Sequence, residues 1–171
     1  KRRGALPKNE VLHYIRAVAS ALKYVHRHHI NHLDVKPGNI MVRRVDHRVF
    51  LLDFGLSKQY DVTGNQTSST PVGISHGYAP IEQYAPGGVR EFTPQTDIYA
   101  LGATMYYLLT GITPPTASEL PDTELEFPVA MSVEVRHAIL ECMKLRKKDR
   151  PQDVDAFLAL LPHQEQAKDE I

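Results

Sequence analysis

The chain has 171 residues, of which 42% are hydrophobic and 23% charged, and its 20 basic residues balance its 20 acidic ones. This composition is typical of one globular domain with its own core, and the zero net charge argues against a nucleic acid or an anionic membrane as partner. The single cysteine, Cys142, cannot form a disulfide within the chain, and no apolar segment of a secretory signal follows the first residues. We therefore predict a cytoplasmic protein.

The chain begins with Lys1 rather than methionine. We expect it to be a piece of a longer protein, whose other parts could include a membrane or sensor domain. The longest nearly unbroken apolar stretch covers residues 98–109. It is shorter than the roughly 18 residues that a membrane span needs, and it is predicted to be a buried core helix.

Apolar residues recur at alternating spacings of four and three from Val11 to Val25. This spacing predicts a long amphipathic helix over residues 6–29. Turn-forming residues follow at 36–39, and two short β-type runs, residues 40–42 and 49–52, predict a hairpin. Residues 53–92 have no sustained periodicity, which in a compact domain indicates a functional or disordered loop.

Thr93-Pro94 predicts the start of a second helix, with the threonine hydroxyl as cap, and Gly111 predicts its end. Ser132 is predicted to cap a third helix that ends at about residue 145. Pro151 is predicted to begin a fourth that ends at about residue 161. Residues 162–171 are polar and are predicted to be a tail or linker. The predicted fold is mainly α, with one small β-hairpin.

Three polar residues frame the hairpin, namely Asp34, Asn39 and Asp53. Each alone is a common turn residue, but a hairpin-length segment separates Asn39 from Asp53 and would bring them together. A Mg²⁺ ion prefers one or two such hard oxygen ligands, with water and phosphate oxygens completing its shell. The spacing therefore predicts a magnesium–phosphate site.

Asp34 lies five residues before Asn39 on the same loop, where its carboxylate could accept the proton of an attacking hydroxyl. Lys36 could place positive charge beside a phosphoryl group in transfer. A base, a cation and two metal ligands on one hairpin platform favour phosphoryl transfer.

At these residues the sequence resembles the protein kinase family. His32-Leu33-Asp34 with Asn39 is similar to the catalytic loop, Asp53-Phe54-Gly55 to the metal-binding triplet, and residues 79–82 to the end of the activation segment. The resemblance runs in the family's order from Leu6 to about Leu161. The run of residues 77–84 is most similar to bacterial serine/threonine kinases of the eukaryotic type.

The resemblance implies a role for each of these residues. Asp34 would orient and deprotonate the substrate hydroxyl, and Lys36 would contact the γ-phosphate of ATP. Asn39 and Asp53 would hold Mg²⁺ with the bound ATP. Ser75 would touch Asp34 and Lys36 on the side of the protein substrate, whose phosphorylated residue is a serine or threonine.

Four further residues have structural roles in the family. Glu82 and Arg150 would form a buried ion pair between the activation segment and the C-terminal helices. Asp97 would accept hydrogen bonds from the backbone around His32 to Asp34, and His32 would pack inside. From the residues alone, an alternative remains: these charges are exposed, and Asp97 is favoured by the helix dipole.

The chain departs from the family by what it lacks. It contains no Gly-rich loop over the phosphates, no strand lysine that pairs with them and no helix glutamate that positions this lysine. We expect residues 1–161 to form a C-terminal lobe without its N-terminal lobe, inactive alone. Such a lobe would expose apolar surface and could self-associate.

A second departure is Leu33, which occupies the place of an arginine that binds a phosphate on the activation segment in many kinases. Phosphorylation should therefore act weakly as an on-switch. The exposed hydroxyls to which this expectation applies are Thr63, Thr67, Ser68, Ser69 and Thr70.

Two alternatives remain open. One is a pseudokinase or scaffold lobe that binds protein partners without catalysis, against which the retention of Asp34, Lys36, Asn39 and Asp53 argues. The other is a small-molecule phosphotransferase of related fold, against which the form of the activation segment argues.

Overall fold

A computed structural model describes residues 4–68 and 73–164 of the chain. Within these residues the mainly α prediction is confirmed. The helices and strands, in chain order, are α1 (Lys8–Arg27), β1 (Ile30–Asn31), β2 (Ile40–Val42), β3 (Val49–Leu51), β4 (Lys58–Gln59), α2 (Pro94–Thr110), α3 (Val133–Cys142) and α4 (Val154–Leu160). Short 3₁₀ turns lie at Pro37–Asn39, Ile81–Tyr84, Leu120–Asp122 and Lys147–Asp149.

Helix α1 buries one face, as its periodicity predicts. Its buried side chains, among them Val11, Ile15, Val18 and Leu22, join a core that α2, α3 and α4 complete. The helix ends at Arg27, and His29 adopts a left-handed backbone conformation with φ of +53°. This turn leads the chain directly into β1.

Helix α2 is the centre of the core, because every residue from Thr96 to Tyr106 is buried. At Gly102 a Cβ atom would lie 2.5 Å from the Cβ of Cys142, so only glycine permits this approach of α2 to α3. The helix ends at Gly111, whose φ of +74° provides the predicted left-handed cap. Because α2 is so deeply buried, the polar side chains near its start, such as Asp97, are held in fixed positions.

Two small antiparallel sheets flank the loop at residues 32–39. Strands β2 and β3 form the predicted hairpin, with Ile40 opposite Leu51, and β3 ends one residue earlier than predicted. Strands β1 and β4 pair Asn31 with Lys58, a contact that two-residue strands do not signal in the sequence. The loop therefore leaves one sheet at β1 and enters the other at β2.

Several predicted helix ends need correction. Helix α1 covers Lys8–Arg27 rather than residues 6–29. Helix α2 begins after Thr93 as predicted, but the Thr93 side chain makes no capping hydrogen bond and its hydroxyl donates to the carbonyl of Glu91 at 2.9 Å. Helix α3 ends at Cys142 rather than near residue 145. Helix α4 begins at Val154 rather than Pro151, because the Asp153 carboxylate accepts a hydrogen bond from the Ala156 N–H at 2.7 Å and so fixes the start there. The cap predicted at Ser132 is confirmed.

Among residues 4–68 and 73–164, no helix is both long enough and apolar enough to span a bilayer.

Candidate active site

The carboxylate of Asp34 is the centre of a cluster of polar side chains on the loop after β1. The Ser75 hydroxyl donates to Oδ1 at 2.5 Å, and the Asn39 amide Nδ2 donates to Oδ2 at 3.1 Å. The same Nδ2 also donates to the Asp34 carbonyl oxygen at 2.7 Å. Because Asp34 is only 8% exposed and both carboxylate oxygens accept hydrogen bonds, the carboxylate has a fixed orientation.

Lys36 adds a cation to this cluster. Its Nζ donates to the Ser75 hydroxyl at 3.0 Å and lies 3.6 Å from Asp34 Oδ1. The side chain is 34% exposed, so the ammonium also reaches solvent. The Ser75 hydroxyl thus bridges the ammonium of Lys36 and the carboxylate of Asp34, which are 39 and 41 residues away from it in sequence.

Asp53 is brought to the cluster by the backbone of the hairpin. The N–H of Leu52 donates to the carbonyl of Asn39 at 2.8 Å, which places Asp53 one residue beyond a direct contact with Asn39. Its own carboxylate accepts from the Gly55 N–H at 3.0 Å, and the residue is exposed. The structure therefore gathers Asp34, Lys36, Asn39 and Ser75 by their side chains, but it brings Asp53 near them only through the main chain.

The side-chain oxygens of Asn39 and Asp53 are of the kind that binds Mg²⁺. The two hydrogen bonds given above for the Asn39 side chain are both donated by its amide nitrogen. The amide oxygen is the atom of this side chain that suits a hard cation. The exposed carboxylate of Asp53 provides a second hard oxygen. Two protein oxygens beside an open face are what a Mg²⁺ ion shared with phosphate groups requires.

His32 is fully buried beneath the cluster. Its Nδ1 accepts a hydrogen bond from the Asp34 N–H at 3.1 Å, so Nε2 carries the proton and donates to the Leu52 carbonyl at 2.9 Å. Its ring also contacts that of Phe54, with centroids 4.6 Å apart. His32 therefore connects the loop of Asp34 to the segment that carries Asp53.

Asp97 on α2 is fully buried and supports this loop from below. Its carboxylate accepts hydrogen bonds from the N–H groups of His32 and Leu33, both at 2.9 Å, from the Asn31 amide at 3.1 Å and from His26 Nε2 at 2.8 Å. Burial by itself raises the pKa of Asp97. The hydrogen bond and charge of His26, together with the hydrogen bond from the Leu33 N–H, outweigh burial and lower this pKa below 3.8. The interpretation of Asp97 as an exposed helix-dipole charge is therefore wrong.

Leu33 adopts a left-handed backbone conformation, with φ of +65°. For a bulky residue this conformation costs about 1–2 kcal/mol, so neighbouring groups must hold it. Its N–H is bound by Asp97, and its carbonyl accepts a hydrogen bond from Gln83 Nε2 at 3.0 Å. Its side chain packs in a small apolar cluster with Tyr60 and Val89.

Sequence reasoning missed Gln83 as a partner of this loop. The residue is only 5% exposed and lies in the Ile81–Tyr84 turn, directly after Glu82. A glutamine carries no motif of its own, and it contacts a residue 50 positions away. The only local signal is its place beside the end of the activation segment.

Glu82 and Arg150 form a two-bond ion pair. The Arg150 Nη1 and Nη2 atoms donate to the Glu82 carboxylate at 2.6 and 3.1 Å, and Thr96 donates to the same carboxylate at 2.9 Å. Arg150 is 3% exposed and its guanidinium lies 5.0 Å from the centre of the Tyr99 ring. The interpretation of Arg150 as a surface charge is therefore wrong, and the pair joins the Ile81–Tyr84 turn to the C-terminal helices.

Lys58 on β4 is a second residue that the sequence did not single out. It is 3% exposed, and its ammonium donates to the carbonyls of Gly87 at 2.9 Å and Val89 at 3.5 Å. Burial, followed by the charge of Arg90, lowers the pKa of Lys58. Lys58 therefore ties the start of the long loop to the segment that precedes α2.

Three of the hydroxyls predicted as phosphorylation sites lie in the described residues, and each forms a hydrogen bond within the segment 59–68. Thr63 donates to the Asp61 carboxylate at 2.7 Å, Thr67 donates to the Gln59 carbonyl at 3.2 Å, and Ser68 accepts from the Gln59 N–H at 2.9 Å. Ser69 and Thr70 lie outside the described residues.

The chain is similar to known serine/threonine protein kinases. The chain is 32% identical to serine/threonine-protein kinase B of Synechocystis sp., over 94% of this chain and 29% of that protein. It is 38% identical to serine/threonine-protein kinase PknF of Mycobacterium tuberculosis, over 64% of this chain and 23% of that protein. The chain thus spans less than a third of these relatives.

A solved structure has the same fold. The chain superimposes on the apo form of PpkA-294 with a TM-score of 0.70 and 25% identity, over 91% of this chain and 54% of that one. The family model described as "Protein kinase domain" matches residues 1–164. That match covers nearly the whole chain, so the chain belongs to the protein kinase family.

Proposed function

We propose that this chain forms the C-terminal lobe of a serine/threonine protein kinase. With an N-terminal lobe it would transfer the γ-phosphoryl group of ATP to a Ser or Thr hydroxyl of a protein substrate. Residues 1–161 would form the lobe and residues 162–171 a polar tail. The observation that carries this proposal is the cluster of Asp34, Lys36, Asn39 and Ser75 around one buried carboxylate.

Asp34 is suited to act as the base. Its Oδ1 already accepts a hydrogen bond from one hydroxyl, that of Ser75, at 2.5 Å. A substrate hydroxyl bound beside this carboxylate would be oriented in the same way, and Asp34 would accept its proton as the oxygen attacks phosphorus. The hydrogen bonds from Asn39 and Ser75 keep the carboxylate fixed, so little reorganisation would accompany this step.

Lys36 would stabilise the negative charge of the transferring group, because its ammonium lies beside Asp34 and still reaches solvent. Asn39 and Asp53 would hold the magnesium ion through their side-chain oxygens. When bound, this ion neutralises charge on the phosphates of ATP. Asp53 is exposed, so we expect contacts with ATP and the N-terminal lobe to determine the final orientation of its carboxylate.

The face around Asp53 is also the proposed contact for the N-terminal lobe. Three apolar side chains are exposed there: Met41 by 46%, Leu52 by 40% and Phe54 by 43%. Apolar surface of this kind commonly marks a site of protein contact. Without the other lobe, we expect the chain to cover it by self-association, which light scattering across a concentration series would detect. A monomer at every concentration would contradict this expectation.

The function is tested by comparing the 171-residue chain with the same chain fused behind an N-terminal kinase lobe. The kinase from Synechocystis, of which 29% is matched, can donate the lobe. Transfer from [γ-³²P]ATP to a generic protein substrate is measured after purification from a host without such kinases. We expect no transfer by the chain alone, and transfer to Ser or Thr by the fusion.

The control is Asp34→Asn in the fusion, which keeps the shape of the side chain but removes the base. Its activity should fall by about 10²-fold or more. Activity that survives this change would refute the assignment of Asp34. A fusion that folds and binds ATP but transfers nothing would favour the alternative of a scaffold lobe.

A further inference from the structure

We propose that Gln83 is a positioning residue for the base Asp34, acting through the carbonyl of Leu33. The inference rests on the proposed function, because it concerns the geometry of the same carboxylate. Gln83 would not touch substrate or ATP. It would fix the peptide unit from which Asp34 extends.

The hydrogen bonds around Leu33 hold two successive peptide units. The carbonyl of Leu33 and the N–H of Asp34 belong to the same planar unit. Gln83 Nε2 binds the carbonyl end at 3.0 Å, and His32 Nδ1 binds the N–H end at 3.1 Å. The preceding unit is held by the bond from the Leu33 N–H to Asp97 at 2.9 Å.

The backbone torsions of Leu33 relate these two units. Leu33 has φ of +65°, a conformation that a leucine does not prefer, so it persists only where its surroundings impose it. Asp97 holds one side of this residue and Gln83 the other. Without the bond from Gln83 the second unit could rotate toward an ordinary conformation, and the carboxylate of Asp34 would move with it.

Gln83 also connects Asp34 to the activation segment. The N–H groups of Tyr78 and Ala79 both bind the carbonyl of Ser75 at 3.0 Å, and the Gln83 N–H binds that of Pro80 at 3.1 Å. One short segment therefore contributes both Ser75, which binds the Asp34 carboxylate, and Gln83, which binds the peptide unit before it. A displacement of this segment would disturb Asp34 at two atoms.

The test uses the fusion protein described above with Gln83→Leu and Gln83→Glu. Leucine removes the donor at similar volume, whereas an ionised glutamate places an acceptor against the carbonyl oxygen. Gln59→Leu is the matched control, because Gln59 is exposed on β4. We measure kcat and the KM values for ATP and a peptide substrate, together with the unfolding temperature.

For Gln83→Leu we expect kcat to fall about tenfold while both KM values change less than about twofold, because a misplaced base affects the chemical step more than binding. The loss should be larger for Gln83→Glu. In the 171-residue chain, the Asp34 amide should exchange with solvent faster in Gln83→Leu than in Gln59→Leu, because its N–H lies in the peptide unit whose carbonyl Gln83 binds. If Gln83 had a purely structural role, Gln83→Leu would lower the unfolding temperature but would not lower kcat selectively while leaving the KM values nearly unchanged.

Three results would overturn the inference. One is a folded Gln83→Leu protein with unchanged kcat, and another is unchanged exchange of the Asp34 amide. The third is failure of both Gln83 variants to fold, which would make the residue structural. Inactivity of the unmodified fusion would instead refute the proposed function, while the exchange measurement would still test the contact itself.

Discussion

The loop of Asp34 and the segment of Asp53 are neighbours in the structure, but they are held in different ways. The loop rests on Asp97, a fully buried carboxylate that accepts hydrogen bonds from four residues. Asp53 is exposed, and its carboxylate accepts a hydrogen bond from the nearby Gly55 N–H. Both Leu33 and Asp53 have positive φ. At Leu33 the N–H and carbonyl are bound by the buried side chains of Asp97 and Gln83, whereas the Asp53 carboxylate is bound by a residue of its own turn.

This difference indicates which parts of the site the described fold prepares by itself. Buried hydrogen bonds from α2 and the Ile81–Tyr84 turn fix the backbone beside Asp34, the proposed base. The side chain of Asp53, the proposed metal ligand, is exposed, so we expect a bound partner to determine its final orientation. The two regions can be compared directly by replacing one aspartate in each case with the isosteric asparagine. These aspartates are Asp97, which supports the loop of Asp34 from α2, and Asp53 itself.

The largest effect is expected for Asp97→Ala. It removes the acceptor for the N–H groups of His32 and Leu33 and breaks the buried pair with His26. Breaking a buried pair in this way typically costs about 3–5 kcal/mol. Urea unfolding of the 171-residue chain measures this loss, and a loss below about 1 kcal/mol would show that the loop does not depend on Asp97.

Asp97→Asn keeps one acceptor oxygen and loses the charge, so the expected loss at pH 7 is smaller, about 1.5–3 kcal/mol for hydrogen bonds to a charged group. The loss should depend on pH. Because folding lowers the pKa of Asp97 below 3.8, its ionised form contributes stability above this pH, and the contribution disappears as pH falls through the folded-state pKa.

The difference in unfolding free energy between the unmodified chain and Asp97→Asn should therefore be constant from pH 7 to about 5 and shrink below about 4. Urea titrations at several pH values measure it. A difference that stays the same at pH 3 would mean that folding does not lower the pKa of Asp97.

Asn31→Ala tests a second contact that holds the loop of Asp34, the one between β1 and the residue before α2. The Asn31 side chain binds both the N–H of Thr93 at 2.9 Å and its carbonyl at 2.8 Å, and so ties β1 to the start of α2. Its removal leaves two buried backbone groups without these bonds, at an expected cost of about 1–2 kcal/mol. Unfolding in urea would measure it, with Gln59→Ala as control because Gln59 is an exposed residue of the neighbouring strand β4. Equal stability of the two variants would contradict the proposed tie.

The sequence predicted the parts of this architecture that depend on local patterns. The spacing of Val11, Ile15, Val18 and Leu22 determines the buried face of α1, and Gly111 determines the end of α2. The hairpin that joins Asn39 to Asp53 was also predicted, because two short runs of β-forming residues flank a turn. Local periodicity and turn chemistry act within a few residues, so the sequence shows them directly.

What the sequence did not show depends on contacts between distant residues. The bond from Gln83 to Leu33 spans 50 positions and that from Asn31 to Thr93 spans 62. The pairing of β1 with β4 involves two residues on each side, too few to leave a pattern. Thr93 illustrates the limit at a helix start, because it has the residue type and position of a cap but its hydroxyl bonds the carbonyl of Glu91 instead of a helix N–H.

The smallest effect on stability is expected for Asp53→Asn, the counterpart of Asp97→Asn. Asparagine tolerates the left-handed conformation and retains an oxygen for the Gly55 N–H, so unfolding should change by less than about 0.5 kcal/mol, as for most exposed substitutions. In the fusion protein, however, the loss of a carboxylate ligand should raise the Mg²⁺ concentration needed for half-maximal transfer. Magnesium titrations with and without the substitution measure this shift. An unchanged requirement would remove Asp53 from the metal site, and a large loss of stability would mean that its segment is as firmly held as the loop of Asp34.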